Sequence, residues 1–154
     1  MPKLLRAVRL DDSDEHVFRA CGAARDGEWV STGGFAACRF ETAPRCDPPC
    51  HCQASFLAVG SSARASIAEV VDASDEEAEE VADALAWHFV KAWGAPSWQV
   101  ARLAAEDEVR HVGDVCETLA AGVWITVKRW HDDAGALEEQ YAVYDRLMIG
   151  AHPL

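Results

Sequence analysis

The residues best suited to chemistry in this sequence are three cysteines and a histidine within seven positions: Cys46, Cys50, His51 and Cys52. A further cysteine, Cys38, lies a short predicted strand upstream. Thiolate sulfur and imidazole nitrogen are the usual ligands of tetrahedral zinc, and four thiolates can hold an iron–sulfur cluster. The first hypothesis is therefore a zinc or iron–sulfur site formed by the four cysteines, with His51 as a substitute ligand.

This cysteine stretch, residues 38–52, is also open to two other interpretations. Its spacing, Cys46-x3-Cys50-x-Cys52, matches none of the common metal-binding signatures, such as paired C-x2-C knuckles. Clustered thiols can instead be oxidised or form a disulfide. An irregular surface loop can also carry cysteines that have no chemical role. Metal binding, redox chemistry and the absence of a role thus remain three hypotheses for one segment.

The length and composition indicate one globular domain spanning residues 1–154. A chain of 154 residues, 50% of them hydrophobic, buries about 70% of its unfolded surface and needs no disulfides to fold. Residues 1–10 alternate charged and aliphatic side chains and lack the apolar core of a secretory signal. No stretch reaches the roughly 18 apolar residues of a membrane span. We therefore predict a cytoplasmic protein whose cysteines are reduced thiols or metal ligands.

The charge of the chain is strongly negative and unevenly distributed. The formal net charge is −12; residues 1–70 carry 8 basic and 9 acidic side chains, whereas residues 71–154 carry 6 and 17. Such a surface repels nucleic-acid phosphates and anionic lipid headgroups. We therefore predict neither a nucleic-acid partner nor a membrane partner, and favour a basic protein or a metal ion.

Alternating apolar and polar residues predict several β-strands. The predicted strands are residues 3–10, 29–32, 35–40, 56–59, 66–71, 123–128 and 141–146. The acidic run 11–15 is predicted to be a turn, and Gly33 and Gly34 supply the positive φ that a tight turn or bulge needs. Segments 56–59 and 66–71 are expected to pair as a hairpin, as are the last two strands.

Two adjacent helices are predicted between these groups of strands. The first begins at Ser74 in a capping box, where the hydroxyl and Glu77 satisfy backbone N–H groups reciprocally, and it ends at a glycine and a proline. The second runs from about Ser97 to Leu119, with Leu103 on its predicted apolar stripe. This order of elements indicates an α+β fold: an antiparallel sheet of about six to seven strands with two adjacent helices packed on one face.

The second helix carries a further motif, Glu108-x-x-His111, which places a carboxylate and an imidazole one turn apart. This spacing is half of the pattern that carboxylate-bridged di-iron proteins use. A full site needs a second copy, and the first helix has no acid three residues before His88. The alternative interpretation is a solvated charged face.

Tryptophans and acidic residues offer candidate interaction surfaces. Trp87 lies off the main stripe of the first helix, Trp98 begins the second, and Trp124 and Trp130 share one face of a strand. These rings either pack in the core or form an exposed patch for a partner or for self-association. The acidic segment 75–83 is either a solvated helix face or a docking surface for a basic partner.

Five stretches of the chain resemble an uncharacterised family of small bacterial proteins, classed as a domain of unknown function. They are residues 4–14, 27–30, 56–60, 69–71 and 124–133. The resemblance spans most of the chain outside the cysteine stretch and implies no catalytic residue. It implies instead that the protein accompanies a molybdenum or iron–sulfur oxidoreductase.

The functional prediction follows from these observations. No nucleophile elbow, P-loop, dinucleotide fingerprint or HExxH motif is present, which lowers the expectation of an independent enzyme. We predict a non-catalytic accessory or interaction subunit of a larger redox enzyme complex, with a protein partner; a homo-oligomer is the alternative assembly. The alternative function is a zinc or iron–sulfur protein that uses Cys38, Cys46, Cys50 and Cys52.

Overall fold

The computed structural model describes residues 2–18, 22–33, 54–61, 63–92 and 94–145. The strands in these ranges are β1 (Lys3–Val8), β2 (Trp29–Ser31), β3 (Phe56–Ala58), β4 (Arg64–Ala65), β5 (Ile67–Asp72), β6 (Trp124–His131) and β7 (Leu137–Tyr144). The helices are α1 (Ser13–Val17), α2 (Asp75–Ala92) and α3 (Trp98–Cys116). The strand predicted at residues 35–40 lies outside the described residues.

The seven described strands form one sheet in the order β4-β3-β2-β1-β5-β6-β7. Neighbouring strands pair antiparallel throughout. In the centre of the sheet, Leu5 of β1 lies opposite Val30 of β2 on one side and Val70 of β5 on the other. All three side chains are buried. A shift of one residue would turn them to the other face, so burial fixes the register.

The sheet is curled rather than flat. Arg129, near the end of β6, donates hydrogen bonds to the carbonyl oxygens of Thr32 and Ser55, which adjoin β2 and β3. In the strand order, β1 and β5 lie between β6 and β2. The contact therefore requires the sheet to bend around the side on which the helices pack.

The helices α2 and α3 form a pair against this side of the sheet: α3 packs on β1 and β2, and α2 packs beside α3. The predicted capping box is present, because the Glu77 N–H donates to Ser74 Oγ and the Ser74 N–H donates to Glu77 Oε1, both at 3.0 Å. Ser97 caps α3 by accepting from the Val100 N–H at 3.2 Å. None of the helices in the described ranges is long and apolar enough to cross a membrane. The predicted α+β fold is confirmed.

Two local predictions are wrong. The acidic run 11–15 is not simply a turn, because the short helix α1 occupies part of it. In this helix Asp14 is buried, and its carboxylate accepts hydrogen bonds from the hydroxyl and the N–H of Ser66 at 2.6 and 3.3 Å. Ser66 separates β4 from β5, so that β3 pairs with β4 while β5 pairs with β1 and β6. The expected hairpin between 56–59 and 66–71 therefore does not form.

The apolar stripe of α3 also differs from the predicted one. The buried residues are Ala101, Ala105, Val112 and Cys116, whereas Leu103 is 63% exposed. The buried positions follow the helical period, and Leu103 lies two residues from its nearest buried neighbours, which places it on the opposite side of the helix. A large apolar side chain therefore faces solvent.

Replacing Ser74 with alanine should lower the free energy of unfolding by about 1 kcal/mol, because the Glu77 N–H loses its side-chain acceptor. The variant Ser74→Asp keeps an acceptor oxygen at this position and should lose much less. Urea unfolding followed by circular dichroism measures both values. Equal losses in the two variants would contradict a capping role for the side chain.

Candidate functional site

The cysteine stretch lies outside the described residues. This applies to each of its predicted ligands: Cys38, Cys46, Cys50, His51 and Cys52. The structure describes the chain up to Gly33 and again from Ala54. The candidate site is therefore built from these flanks and from the side chains that contact them.

Two buried arginines hold the flanks together. Arg129 Nη1 donates to the Ser55 carbonyl at 2.7 Å, and its Nη2 donates to the Thr32 carbonyl. Arg64 Nη1 donates to the Gly33 carbonyl at 3.4 Å and to Ser55 Oγ at 3.3 Å. The two arginines are only 4% and 3% exposed. We name these two residues the arginine clamp. Together they contact both Gly33, the last described residue before the cysteine stretch, and Ser55, close to the first described residue after it.

The backbone at Gly33 fits the clamp only without a side chain. Its φ is +80°, in the left-handed region that favours glycine. A Cβ at this position would lie 2.9 Å from Arg64 Nη1 and 3.0 Å from the backbone nitrogen of Leu57. The predicted need for a positive φ is confirmed at Gly33, and Gly34 lies outside the described residues.

The charge of Arg129 is balanced by Glu139 of β7. The two residues lie directly opposite each other, and Arg129 Nε donates to Glu139 Oε2 at 2.6 Å. The Tyr141 hydroxyl donates to the same oxygen at 3.3 Å; burial, and secondarily the Glu139 charge, raise the pKa of Tyr141. On the other side, His111 Nε2 lies 3.6 Å from Glu139 Oε1. Glu139 thus connects the clamp to α3.

Glu108 and His111 lie one turn apart but have different partners. Thr32 Oγ1 donates to Glu108 Oε1 at 2.7 Å, whereas His111 approaches Glu139. Across the ranges that the structure describes, no group of three His, Cys, Asp or Glu side chains is placed to hold a metal ion. The motif therefore serves two separate contacts, and Thr32 joins Glu108 to the arginine clamp.

Glu108 also forms one wall of a pocket between α2 and α3, which we name the elbow pocket. Its volume is about 320 Å³. It is lined by Phe89, Ala95, Pro96, Val100, Ala101, Ala104 and Glu108. Among these residues Glu108 alone carries a charge. A pocket of this size lies at the lower end of the range that holds small ligands.

The pKa of the Glu108 carboxyl is raised above its ordinary value. Burial is the main cause, because it disfavours the ionised form, and the nearby Glu139 charge acts in the same direction. Hydrogen bonding from Thr32 and the proximity of His111 oppose this shift. No ion pair formed within the described ranges includes Glu108.

Large apolar side chains are exposed where α2 ends and α3 begins. Trp87 is 55% exposed, Trp98 42%, Val100 50% and Leu103 63%. The rings of Trp87 and Trp98 meet edge to face, with their centroids 5.7 Å apart. These four residues are named the elbow surface. The prediction that Trp87 lies off the apolar stripe is confirmed.

Acidic side chains outnumber basic ones beside the elbow surface. Arg102 Nε donates to Asp83 at 2.8 Å, its Nη1 donates to Glu106 at 2.9 Å, and its Nη2 contacts Glu79. Three carboxylates therefore share one guanidinium, which leaves an excess of negative charge. Asp83 and Arg102 each lie one helical turn from a tryptophan of the elbow surface.

The arginine clamp is not evident from the sequence. Arginine is rarely fully buried, so Arg64 and Arg129 are expected at the surface when only the sequence is considered. One signal was present: Arg129 alternates in phase with Ile125 and Val127, both buried in β6. This register places a charge on the apolar face of the sheet, where it requires partners.

The curled antiparallel sheet with two helices on one face defines a small α+β domain. The chain belongs to a family whose description is "Family of unknown function (DUF6505)", which matches residues 1–148. The predicted resemblance to an uncharacterised domain is thereby confirmed. Searches of curated proteins and of solved structures found no match.

Replacing Arg129 with leucine should lower the free energy of unfolding by about 3–5 kcal/mol, because it removes the Arg129 hydrogen bonds to two buried carbonyls and the ion pair with Glu139. Arg129→Lys keeps the charge but not the planar fork and should lose less. Arg110→Leu is the matched control, since that side chain is 68% exposed. Urea unfolding measures all three, and similar losses for Arg129→Leu and Arg110→Leu would contradict the clamp.

Proposed function

We propose that this protein is a non-catalytic interaction subunit that binds a protein partner through the elbow surface. The proposal depends on one observation: at one end of a helical pair, on an acidic chain, four large apolar side chains are exposed, and two of them, Trp87 and Trp98, contact each other. Burying a large apolar side chain in an interface contributes about 1.5–3 kcal/mol. Tryptophan is also enriched among the residues that dominate binding energies.

The elbow surface is favoured over the β6–β7 hairpin, which is also partly apolar. Trp130 and Tyr144 are exposed on one face of the hairpin, and Leu137 and Val143 on the other. Because successive residues of a strand point to opposite faces, these side chains cannot all meet one partner surface. At the elbow, two of the rings already contact each other.

The partner is expected to present basic residues at the contact. Of the carboxylates that surround Arg102, Asp83 lies one turn from Trp87, and Glu79 and Glu106 lie about two turns from Trp87 and Trp98. Aromatic ring faces also attract cations. Lys91 Nζ already lies 5.0 Å from the centre of the Trp87 ring. A second copy of the chain, with its net charge of −12, is a poorer occupant because like charges repel.

The proposed complex is that of a redox enzyme. This part of the proposal comes from the family resemblance, which links such proteins to molybdenum or iron–sulfur oxidoreductases. The cysteine stretch agrees with it, because thiols are the usual ligands of iron–sulfur clusters.

Replacing Leu103 with aspartate should reduce partner binding at least about tenfold, since a charge would then be desolvated in the interface. Tagged protein, cross-linked in its native host and purified, should carry a basic redox-enzyme subunit identified by mass spectrometry. The binding constant is then measured with that purified subunit. The exposed position of Leu103 should leave the folding of the variant unchanged.

Leu10→Asp is the matched control. Leu10 is 59% exposed, between β1 and α1, so the same substitution adds the same charge away from the elbow. Binding should survive in this variant. Equal loss in both variants would indicate a general charge effect, and full binding by Leu103→Asp would exclude the elbow surface as the contact.

A second function, metal binding by the cysteine stretch, is favoured by the arginine clamp. Closing a flexible loop costs entropy that grows with its length. The clamp holds the two flanks of residues 34–53 together through hydrogen bonds from Arg64 and Arg129. The proposed ligands thus lie within one segment whose ends are fixed: Cys38, Cys46, Cys50 and Cys52, with His51 as a substitute.

Protein purified anaerobically under reducing conditions should contain about one zinc or several irons per chain, measured by mass spectrometry of the metals. Cys50→Ser should lose the metal. Cys116→Ser should retain it, because Cys116 is buried in α3 and burial raises the pKa of its thiol to about 11. Metal-free wild-type protein, or equal metal loss in both variants, would contradict this second function.

A further inference from the structure

We infer that the elbow pocket is a binding site for a small organic amine, whose ammonium group pairs with Glu108 while its apolar body lies against Phe89 and Val100. This inference goes beyond the interaction role. It rests on the pocket and on Glu108, whereas the interaction role rests on the exposed, contacting rings of Trp87 and Trp98; Val100 belongs to both the pocket lining and the elbow surface.

The volume and lining of the pocket suit a ligand with a small apolar body. Its volume of about 320 Å³ suits a molecule of one ring or a short alkyl chain. Apart from Glu108, the lining consists of the aromatic ring of Phe89 and the side chains of alanine, proline and valine residues. Apolar surface of this kind gains free energy when a hydrocarbon replaces water.

The surroundings of Glu108 favour a positively charged head group on the ligand. Within the described ranges Glu108 accepts a hydrogen bond from the Thr32 hydroxyl at 2.7 Å. This donor carries no charge. The nearby basic side chain, His111, approaches Glu139 instead, so the half-buried carboxylate of Glu108 forms no ion pair in these ranges and remains at the wall of an open pocket.

A ligand ammonium would form the ion pair that Glu108 lacks within the described ranges. Its N–H groups can form charge-assisted hydrogen bonds with the carboxylate, and these are about twice as strong as neutral ones. A ligand carboxylate would be repelled by both Glu108 and the nearby Glu139. A neutral alcohol would form a hydrogen bond but leave the charge of Glu108 unbalanced.

The inference also predicts how binding depends on pH. Burial raises the pKa of Glu108, so the proton on this carboxyl is retained to a higher pH than on an ordinary glutamate. The amine pairs with the ionised form, and affinity should therefore rise as the pH increases through the Glu108 titration. An alkylammonium stays charged to about pH 10, so affinity should then remain level to that limit. His111 and Glu139 face Glu108 from α3 and β7, and Thr32 faces it from the end of β2.

The test compares three probes of nearly equal shape by isothermal titration calorimetry at pH 7.5: 2-phenylethylamine, 2-phenylethanol and phenylacetate. We expect the amine to bind at least about tenfold more tightly than the other two, as one charge-assisted hydrogen bond would allow. Glu108→Gln should weaken amine binding about tenfold and remove its pH dependence. Ala104→Trp, which fills the pocket from an exposed helix position, should abolish binding.

Glu80→Gln is the matched control, because it removes the same charge from an exposed position on α2. It should change amine affinity less than twofold. Equal weakening by Glu80→Gln and Glu108→Gln would show that the amine is only attracted to an acidic surface, and would overturn the inference. It would also be overturned if phenylacetate bound as tightly as the amine, or if the amine gave no binding at 10 mM, about the weakest affinity of interest.

Discussion

Arg129 lies on the concave side of the curled sheet, where an unpaired positive charge would cost several kcal/mol. Its guanidinium therefore needs acceptors on several sides at once. The Thr32 and Ser55 carbonyls and the Glu139 carboxylate supply them, and these groups come from three different parts of the chain. The sheet must bend until β2, β3, β6 and β7 all reach this side chain. The curvature of the sheet is thus required by the pairing of one buried charge, that of Arg129.

Thr32 connects the curled sheet to helix α3. Its carbonyl accepts from Arg129, and its hydroxyl donates to Glu108 of α3. The next residue, Gly33, has a left-handed backbone that lets Arg64 approach. One short segment therefore fixes the last described residues before the cysteine stretch, the position of α3 and one wall of the elbow pocket. A structural change in any of these three parts should therefore alter the structure of the other two.

The proposed activities depend on different side chains of the same scaffold, although Val100 lies both on the elbow surface and in the lining of the elbow pocket. The elbow surface offers exposed rings beside excess negative charge, which suits a basic protein partner. The elbow pocket is open and apolar, with a single carboxylate at its wall, which suits a small cation. The arginine clamp contacts Gly33 and Ser55, which lie on either side of the cysteine stretch. Each proposal is tested by a different substitution, Leu103→Asp, Glu108→Gln or Cys50→Ser, so each can fail without the others.

The sequence by itself determined the local elements. The capping box at Ser74, the long helices and the final hairpin follow from short-range patterns, because their hydrogen bonds join residues that are close in the chain. The sequence also indicated the tryptophans as a candidate interaction surface. It indicated Glu108 and His111 as half of a metal site, whereas in the structure they contact Thr32 and Glu139. The tertiary structure alone decided the pairing of β5 with β1 and β6, the exposure of Leu103 and the burial of two arginines. These features depend on contacts between residues far apart in the chain, such as Arg129 with Thr32, and no local pattern encodes the free energy of such contacts.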